Sequence, residues 1–136
     1  MQVVRVLDMS WNRISNTQAI AVAEAFKHNS TIRVLRLAHN TFGHGDGCQI
    51  FATAIEGEKG NSTLEFVDLS FNQIGEEAGL VLAFALQSNT TLETLILDGN
   101  PLGRLGIREM LRVMTASSDI REISFDEVTY VFVRVE

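Results

Sequence analysis

The residue types that could carry reaction chemistry are few, and they cluster in one stretch. His39, His44, Asp46 and Cys48 lie close together in the chain. Such side chains suit zinc, but no CxxC or HxxxH pair is present, and the glycines between them would cost entropy to order. No metal or other cofactor is expected. Cys48 near a histidine could act as a nucleophile. It falls, however, at an apolar position of a helical pattern, which predicts an inert packed thiol. The run GHGDG at 43–47 lacks the spacing and the Lys-Ser/Thr pair of a phosphate loop. Nothing here predicts an enzyme.

A second set of residues suits binding. Trp11, His39 and Phe71 occupy one position of a recurring pattern, with Val34 and Phe66 close by. Asp68, Asp98, Glu122, Asp126 and Glu127 bring acid to the later part of the same pattern, and Arg36 adds a base. Exposed aromatics beside charge are the material of a protein-binding hot spot. We expect Trp11 and Phe71 to anchor a partner protein, with Arg36, His39, Phe66, Asp68, Asp98 and Asp126 around them. The acidic side would face a basic segment. Two plainer roles compete: the aromatics could lean over and seal the core, and the acids could serve solubility alone.

The pattern that positions these residues is clearest at 64–74, LEFVDLSFNQI. It recurs as VRVLDMSWNRI at 4–14, IRVLRLAHNTF at 32–42 and LETLILDGNPL at 92–102. Apolar residues hold the first, fourth, sixth and eleventh positions, and Asn holds the ninth. The asparagines Asn12, Asn40, Asn72 and Asn100 are separated by 28, 32 and 28 residues. A fifth, broken copy begins at Ile120, with Val128 where Asn would stand. Internal periods of this size indicate a solenoid. LxxLxLxxNxL resembles a leucine-rich repeat, and the 28-residue period with an Ala-rich helix is similar to the ribonuclease-inhibitor-like subclass. The likeness covers roughly residues 3–126.

The resemblance implies an α/β fold, a curved solenoid with a parallel sheet on its concave face and helices on its convex face. Repeats are expected near 4–31, 32–63, 64–91 and 92–119, with 120–136 a partial repeat and cap, all in one domain. Within each strand, period-two alternation sends Val4, Leu7 and Met9 inward and Val6, Asp8 and Ser10 outward. The Asn amides are expected to stack as a structural ladder, pairing backbone groups where the chain leaves the sheet. Ser15, Asn16 or Thr17 can cap the first helix, whose stripe is Ala19, Val22, Ala23 and Phe26.

Repeat two carries four additional residues, and Cys48, Phe51, Ala52 and Ile55 restore its stripe. Its glycines at 43, 45, 47, 57 and 60 predict loose ends for that helix. Arg104, Arg108 and Arg112 form a basic stripe on the outside of the fourth. The tail VTYVFVRVE reads as a strand that replaces a fifth helix and caps the last repeat. The links NST, NST and NTT match a glycosylation sequon but are expected to be structural turns.

Composition narrows the function classes. A net charge of −6 disfavours a partner bound by phosphate neutralisation, so no nucleic acid is expected. No apolar run approaches the ~20 residues of a membrane span. One cysteine and no signal-like start predict an intracellular, cytoplasmic setting. The bare first strand predicts a piece of a larger protein, or pairing at that edge. The expected function is therefore a non-catalytic protein-interaction scaffold. The resemblance also admits a regulatory domain of an immune receptor, or of the Ran GTPase-activating protein of the same subclass, although no residues of the latter map by motif. An interior slice of a longer solenoid is the third option. Ribonuclease inhibitor itself, which alternates Cys with Asn at the ninth position, is a poor match to a chain with one Cys.

Overall fold

The structure, a computed structural model, describes residues 2–116, 119–125 and 128–131, the last four as backbone. The described elements are β1 (Val6–Asp8), α1 (Asn16–His28), β2 (Val34–Arg36), α2 (Gly47–Ile55), β3 (Phe66–Asp68), α3 (Glu76–Ser88), β4 (Thr94–Ile96), α4 (Gly103–Ala116), β5 (Glu122–Phe125) and β6 (Val128–Val131). The strands lie side by side in chain order. β1 to β5 are parallel and in register, so Val6, Val34, Phe66, Thr94 and Glu122 form one row and Asp8, Arg36, Asp68, Ile96 and Ser124 another. Both rows are those that the repeat spacing predicts.

Curvature follows from two spacings. Parallel strands sit ~4.8 Å apart, whereas packed helices need ~8–10 Å. The helix side must open like a fan, which leaves the strands on the concave face. The core between the layers is built from the fourth, sixth and eleventh positions. Leu35, Leu37, Val67, Leu69, Leu95 and Leu97 are fully buried, against Phe51, Leu82 and Met110 from the helices. Each such side chain stabilises the fold by roughly 1.5–3 kcal/mol. Phe42 and Phe51 meet edge to face, with centroids 6.5 Å apart, the favoured geometry for an aromatic pair.

Several expectations need correction. Val4 is 60% exposed, and Leu7 and Met9 are only half-buried, because among the described residues nothing packs on the outer side of β1. Leu7 and Met9 line an open apolar groove of about 370 Å³ with Val22, Phe26 and Ile32. The glycines flanking α2 are not loose. A Cβ on Gly43 would overlap the Gln73 carbonyl, and one on Gly47 would lie 2.6 Å from the Ala19 Cβ. These glycines let the inserted loop lie directly on the repeats either side.

Other expectations match. Ser15 caps α1, and its N–H donates to Gln18 Oε1 at 3.3 Å. Cys48, Phe51, Ala52 and Ile55 are buried in α2. Arg104, Arg108 and Arg112 are exposed on α4, with Arg112 donating to Glu109 at 2.6 Å. Of the tail, Val128–Val131 form β6, antiparallel to β5 at the edge of the sheet. The rest of the tail lies outside the described residues, as do Asp126 and Glu127 of the expected acidic set.

Candidate functional site on the strand face and its rim

Each strand ends in a turn that sets two adjacent residues to different tasks. The ninth residue, Asn, turns inward. Asn72 is fully buried. Its Nδ2 donates to the carbonyls of Leu37, Leu69 and Ser70 at 2.9–3.0 Å, and its Oδ1 accepts the Phe42 N–H at 3.2 Å. Asn100 repeats the scheme, donating to Leu69 and Leu97 and accepting the N–H groups of Asn72 and Ile74 at 2.9 and 3.0 Å. Asn40 accepts from Asn12 and Ile14 in the same way. Each amide therefore joins its own turn to that of the preceding repeat.

Asn12 does not fit the buried ladder. It is exposed, and its Nδ2 donates to Met9 and Ser10 of its own repeat. No preceding turn among the described residues meets its Oδ1. A second ladder, not anticipated as such, occupies the helix-to-strand links. Asn61 Nδ2 donates to the Phe26 and Asn29 carbonyls at 2.6 and 2.9 Å, and Asn89 Nδ2 donates to Ile55 at 2.9 Å. The recurring NST, NST and NTT links were its sequence signal. The Asn61 and Asn89 side chains are buried in these bonds, which suits the structural role expected for the links.

The eighth residue behaves in the opposite way. Trp11, His39 and Phe71 have φ of 62°, 55° and 54°, left-handed backbone that is unusual for bulky side chains. Gly99 holds this position in the fourth repeat, with φ 69°, and shows which residue the geometry favours. The turn throws the three aromatic side chains outward as a tier. Trp11 and His39 stack with centroids 3.6 Å apart and planes 10° apart, and His39 and Phe71 stack at 4.5 Å and 6°. The Phe71 ring lies over Gly99, where a Cβ would overlap it. Trp11 is 73% exposed and Phe71 46%, with His39 half-buried between them. Left-handed backbone at the eighth position was missed from the sequence, although Gly99 was its signal. An open groove of about 440 Å³ runs beside the tier, lined also by Arg13, Ser15, Thr41 and Gln73.

On the strand face, the Arg36 guanidinium lies over the Phe66 ring, 5.5 Å from its centroid. Hydrogen bonds from Ser10, helped by the charge of Arg36, hold the exposed Asp8 carboxyl below the ordinary carboxylate range. Asp68 accepts the Ser70 N–H and hydroxyl at 2.9 and 2.6 Å. Asp98 accepts the Ser124 hydroxyl at 2.8 Å. Part of the acidic set is thus tied to neighbouring serines. Asp126 has no described place. Arg33 and Glu65 pair across β2 and β3 near the strand starts.

The reaction-type residues do not assemble. Cys48 is buried, and burial pushes its thiol up to about 12. His39 belongs to the tier, while His44 and Asp46 are exposed on the loop before α2. Among the described residues, no group of three or more His, Cys, Asp or Glu side chains could hold a metal ion. No described helix is long and apolar enough to cross a membrane.

Comparison with known proteins adds relatives to this geometry. A family model described as leucine-rich repeat matches residues 1–23, 28–45, 60–83 and 88–111. The chain is 28% identical over 117 residues to RAN GTPase-activating protein 2 of Arabidopsis thaliana, an overlap of 86% of this chain and 21% of that protein. It is 43% identical over 65 residues to Ran GTPase-activating protein of Drosophila melanogaster, 45% of this chain and 11% of that one. It is 38% identical over 93 residues to Tonsoku-like protein of Bos taurus, 66% of this chain and 6% of that one. The chain thus spans about a fifth or less of the length of these relatives.

Proposed function

This chain belongs to the leucine-rich repeat family, and from that premise we propose that it is a non-catalytic docking module that holds a partner protein on its concave strand face and aromatic rim. The observation that carries the proposal is the tier. Three large rings stack on backbone that a glycine would occupy at lower cost, with Trp11 and Phe71 exposed and His39 half-buried between them. Left-handed backbone costs an ordinary residue roughly 1–2 kcal/mol. Stacking returns about 0.5–1.5 kcal/mol per pair, so folding gains little from the tier. Exposed Trp beside Arg and Asp is the composition from which binding hot spots are made.

A small GTPase is the partner class favoured by a specific observation, since two of the relatives are named for activating the Ran GTPase. The role assigned here is binding, with the GTP chemistry left to the GTPase. The test is to pass GTP-loaded Ran over the immobilised chain and, separately, to follow GTP hydrolysis with the chain added. Binding that weakens at least tenfold in Trp11→Gly, with an unchanged hydrolysis rate, supports docking. A raised rate would make the chain an activator. Binding unaffected by Trp11→Gly would remove the tier from the interface.

A further inference from the structure

We propose that the rim groove beside the aromatic tier is a seat for an acidic side chain, a glutamate or aspartate of the partner protein, held by Arg13 and Gln73. This rests on the docking role above and names the chemistry that one part of the interface would read. Arg13, Thr41 and Gln73 hold the tenth position of repeats one, two and three, and the three stacked rings of the eighth position line the groove with them. The groove is thus centred on repeat two, with a described repeat on either side. Its tenth position is not uniform. Arg13 and Gln73 take left-handed backbone, with φ of 54° and 58°, although neither is a residue that this conformation favours. Thr41 does not. Its N–H and its hydroxyl both donate to the Ile14 carbonyl, at 2.9 and 3.0 Å. Thr41 is therefore tied to the turn of repeat one, whereas the longer Arg13 and Gln73 side chains are exposed.

The donors in this groove are unpaired. Among the described residues, the Arg13 guanidinium and the Gln73 amide make no hydrogen bond or ion pair. No carboxylate is among the residues that line the groove, although the chain as a whole has a net charge of −6. The local sign is therefore the reverse of the overall one. A guanidinium presents its donors in a fixed fork that matches a carboxylate, and the Gln73 amide adds a neutral donor. A partner amide would hydrogen-bond here without the gain from charge. A partner cation would meet Arg13 with like sign. A phosphate, with nearly two negative charges, calls for more fixed positive charge than Arg13 supplies.

The test uses blocked hexapeptides that differ at one residue: glutamate, glutamine, lysine or phosphoserine. Binding is read from backbone amide shifts, and from the side-chain signals of Arg13 and Gln73, in nuclear magnetic resonance spectra. The glutamate peptide should shift Arg13, Thr41 and Gln73. It should bind about fivefold tighter than the glutamine peptide, the upper scale of an exposed ion pair, and that margin should shrink with added salt. The lysine peptide should bind least. Arg13→Gln should erase the margin, and Arg13→Lys should keep part of it, because an ammonium lacks the fork. Gln73→Ala should weaken binding about threefold. Both side chains are exposed, so these variants should fold as the parent does. Equal binding of the glutamate and glutamine peptides, a margin that survives Arg13→Gln, or shifts confined to other parts of the molecule would overturn the proposal. A phosphoserine peptide that binds more than about tenfold tighter than the glutamate one would overturn it in favour of a phosphate. The peptides need no partner protein, so they decide the seat separately from the docking role. If Trp11→Gly costs GTP-loaded Ran its affinity while the glutamate peptide shows no margin, the seat is wrong and the docking face stands. If Ran binding is indifferent to Trp11 and the margin is absent, both fail.

Discussion

Trp11, His39 and Phe71 each immediately precede an asparagine, yet the two columns differ in almost every physical respect. Asn40, Asn72 and Asn100 are buried, and their amides bond to the backbone of two repeats. The aromatics are left-handed and stack on one another, with Trp11 and Phe71 exposed on either side of a half-buried His39. The difference teaches where a repeat spends its side-chain chemistry. The ninth position answers to the turn, whose buried N–H and C=O groups must be paired. The eighth answers only to a backbone angle that glycine meets with least strain, so its aromatics are choices that the turn does not require. Function is best sought in such choices.

Breaking the inner column should have the largest effect. Asn72→Ala leaves carbonyls of Leu37, Leu69 and Ser70 and the Phe42 N–H without that partner. The carbonyls keep donors from Asn40, Asn100 and the His39 N–H, so the Phe42 N–H is the group left unpaired, and urea unfolding should register a loss of about 1–3 kcal/mol. Stability within about 0.5 kcal/mol of the parent would mean that water replaces the amide, and the contrast between the columns would weaken.

Next comes the junction of the two columns, Gly99. Gly99→Ala puts a Cβ on left-handed backbone and into the Phe71 ring. The expected cost is about 1–2 kcal/mol, with the ring displaced and the ring-current shifts of His39 changed. Unaltered His39 shifts would show that the tier does not rest on Gly99. The core side can also be probed through Cys48. Its folded value, raised to about 12 from 9.0, means that the unfolded chain loses its proton first. Stability should therefore be unaffected below pH 9 and fall as pH rises from 9 toward 12. The thiol should resist alkylation at pH 8 until the chain unfolds. Rapid labelling of the folded protein would show that the core opens there. A smaller effect is expected at Asn12, whose side chain bonds only within its own exposed turn. Asn12→Ala should cost less than about 1 kcal/mol, and a loss matching Asn72→Ala would show that burial does not separate them.

The repeat, the parallel order, the register of the outward rows and the burial of Cys48 were legible because they follow from apolar spacing. A period of 28 residues with in-phase Leu and Asn admits few other arrangements. The stacking of Trp11, His39 and Phe71 was legible only as a shared position. That the eighth position is left-handed lies in backbone angles, and one glycine among three aromatics is a faint trace of it. The exposure of Val4 and Asn12 could not be read from the pattern, because it depends on which neighbour packs against β1 rather than on the residues of repeat one. The glycines at 43 and 47 misled for a related reason: in isolation they signal freedom, whereas beside Gln73 and Ala19 they allow close approach.

The contrast between the columns, and with it the docking role, is tested most directly by the unfolding free energy of Trp11→Gly beside that of the parent. Loss of the stack costs about 0.5–1.5 kcal/mol, and relief of left-handed backbone returns about 1–2 kcal/mol. The account predicts a stability within about 1 kcal/mol of the parent, in a protein that no longer holds its partner. A loss of several kcal/mol would contradict it, making the tier a structural seal that folding requires.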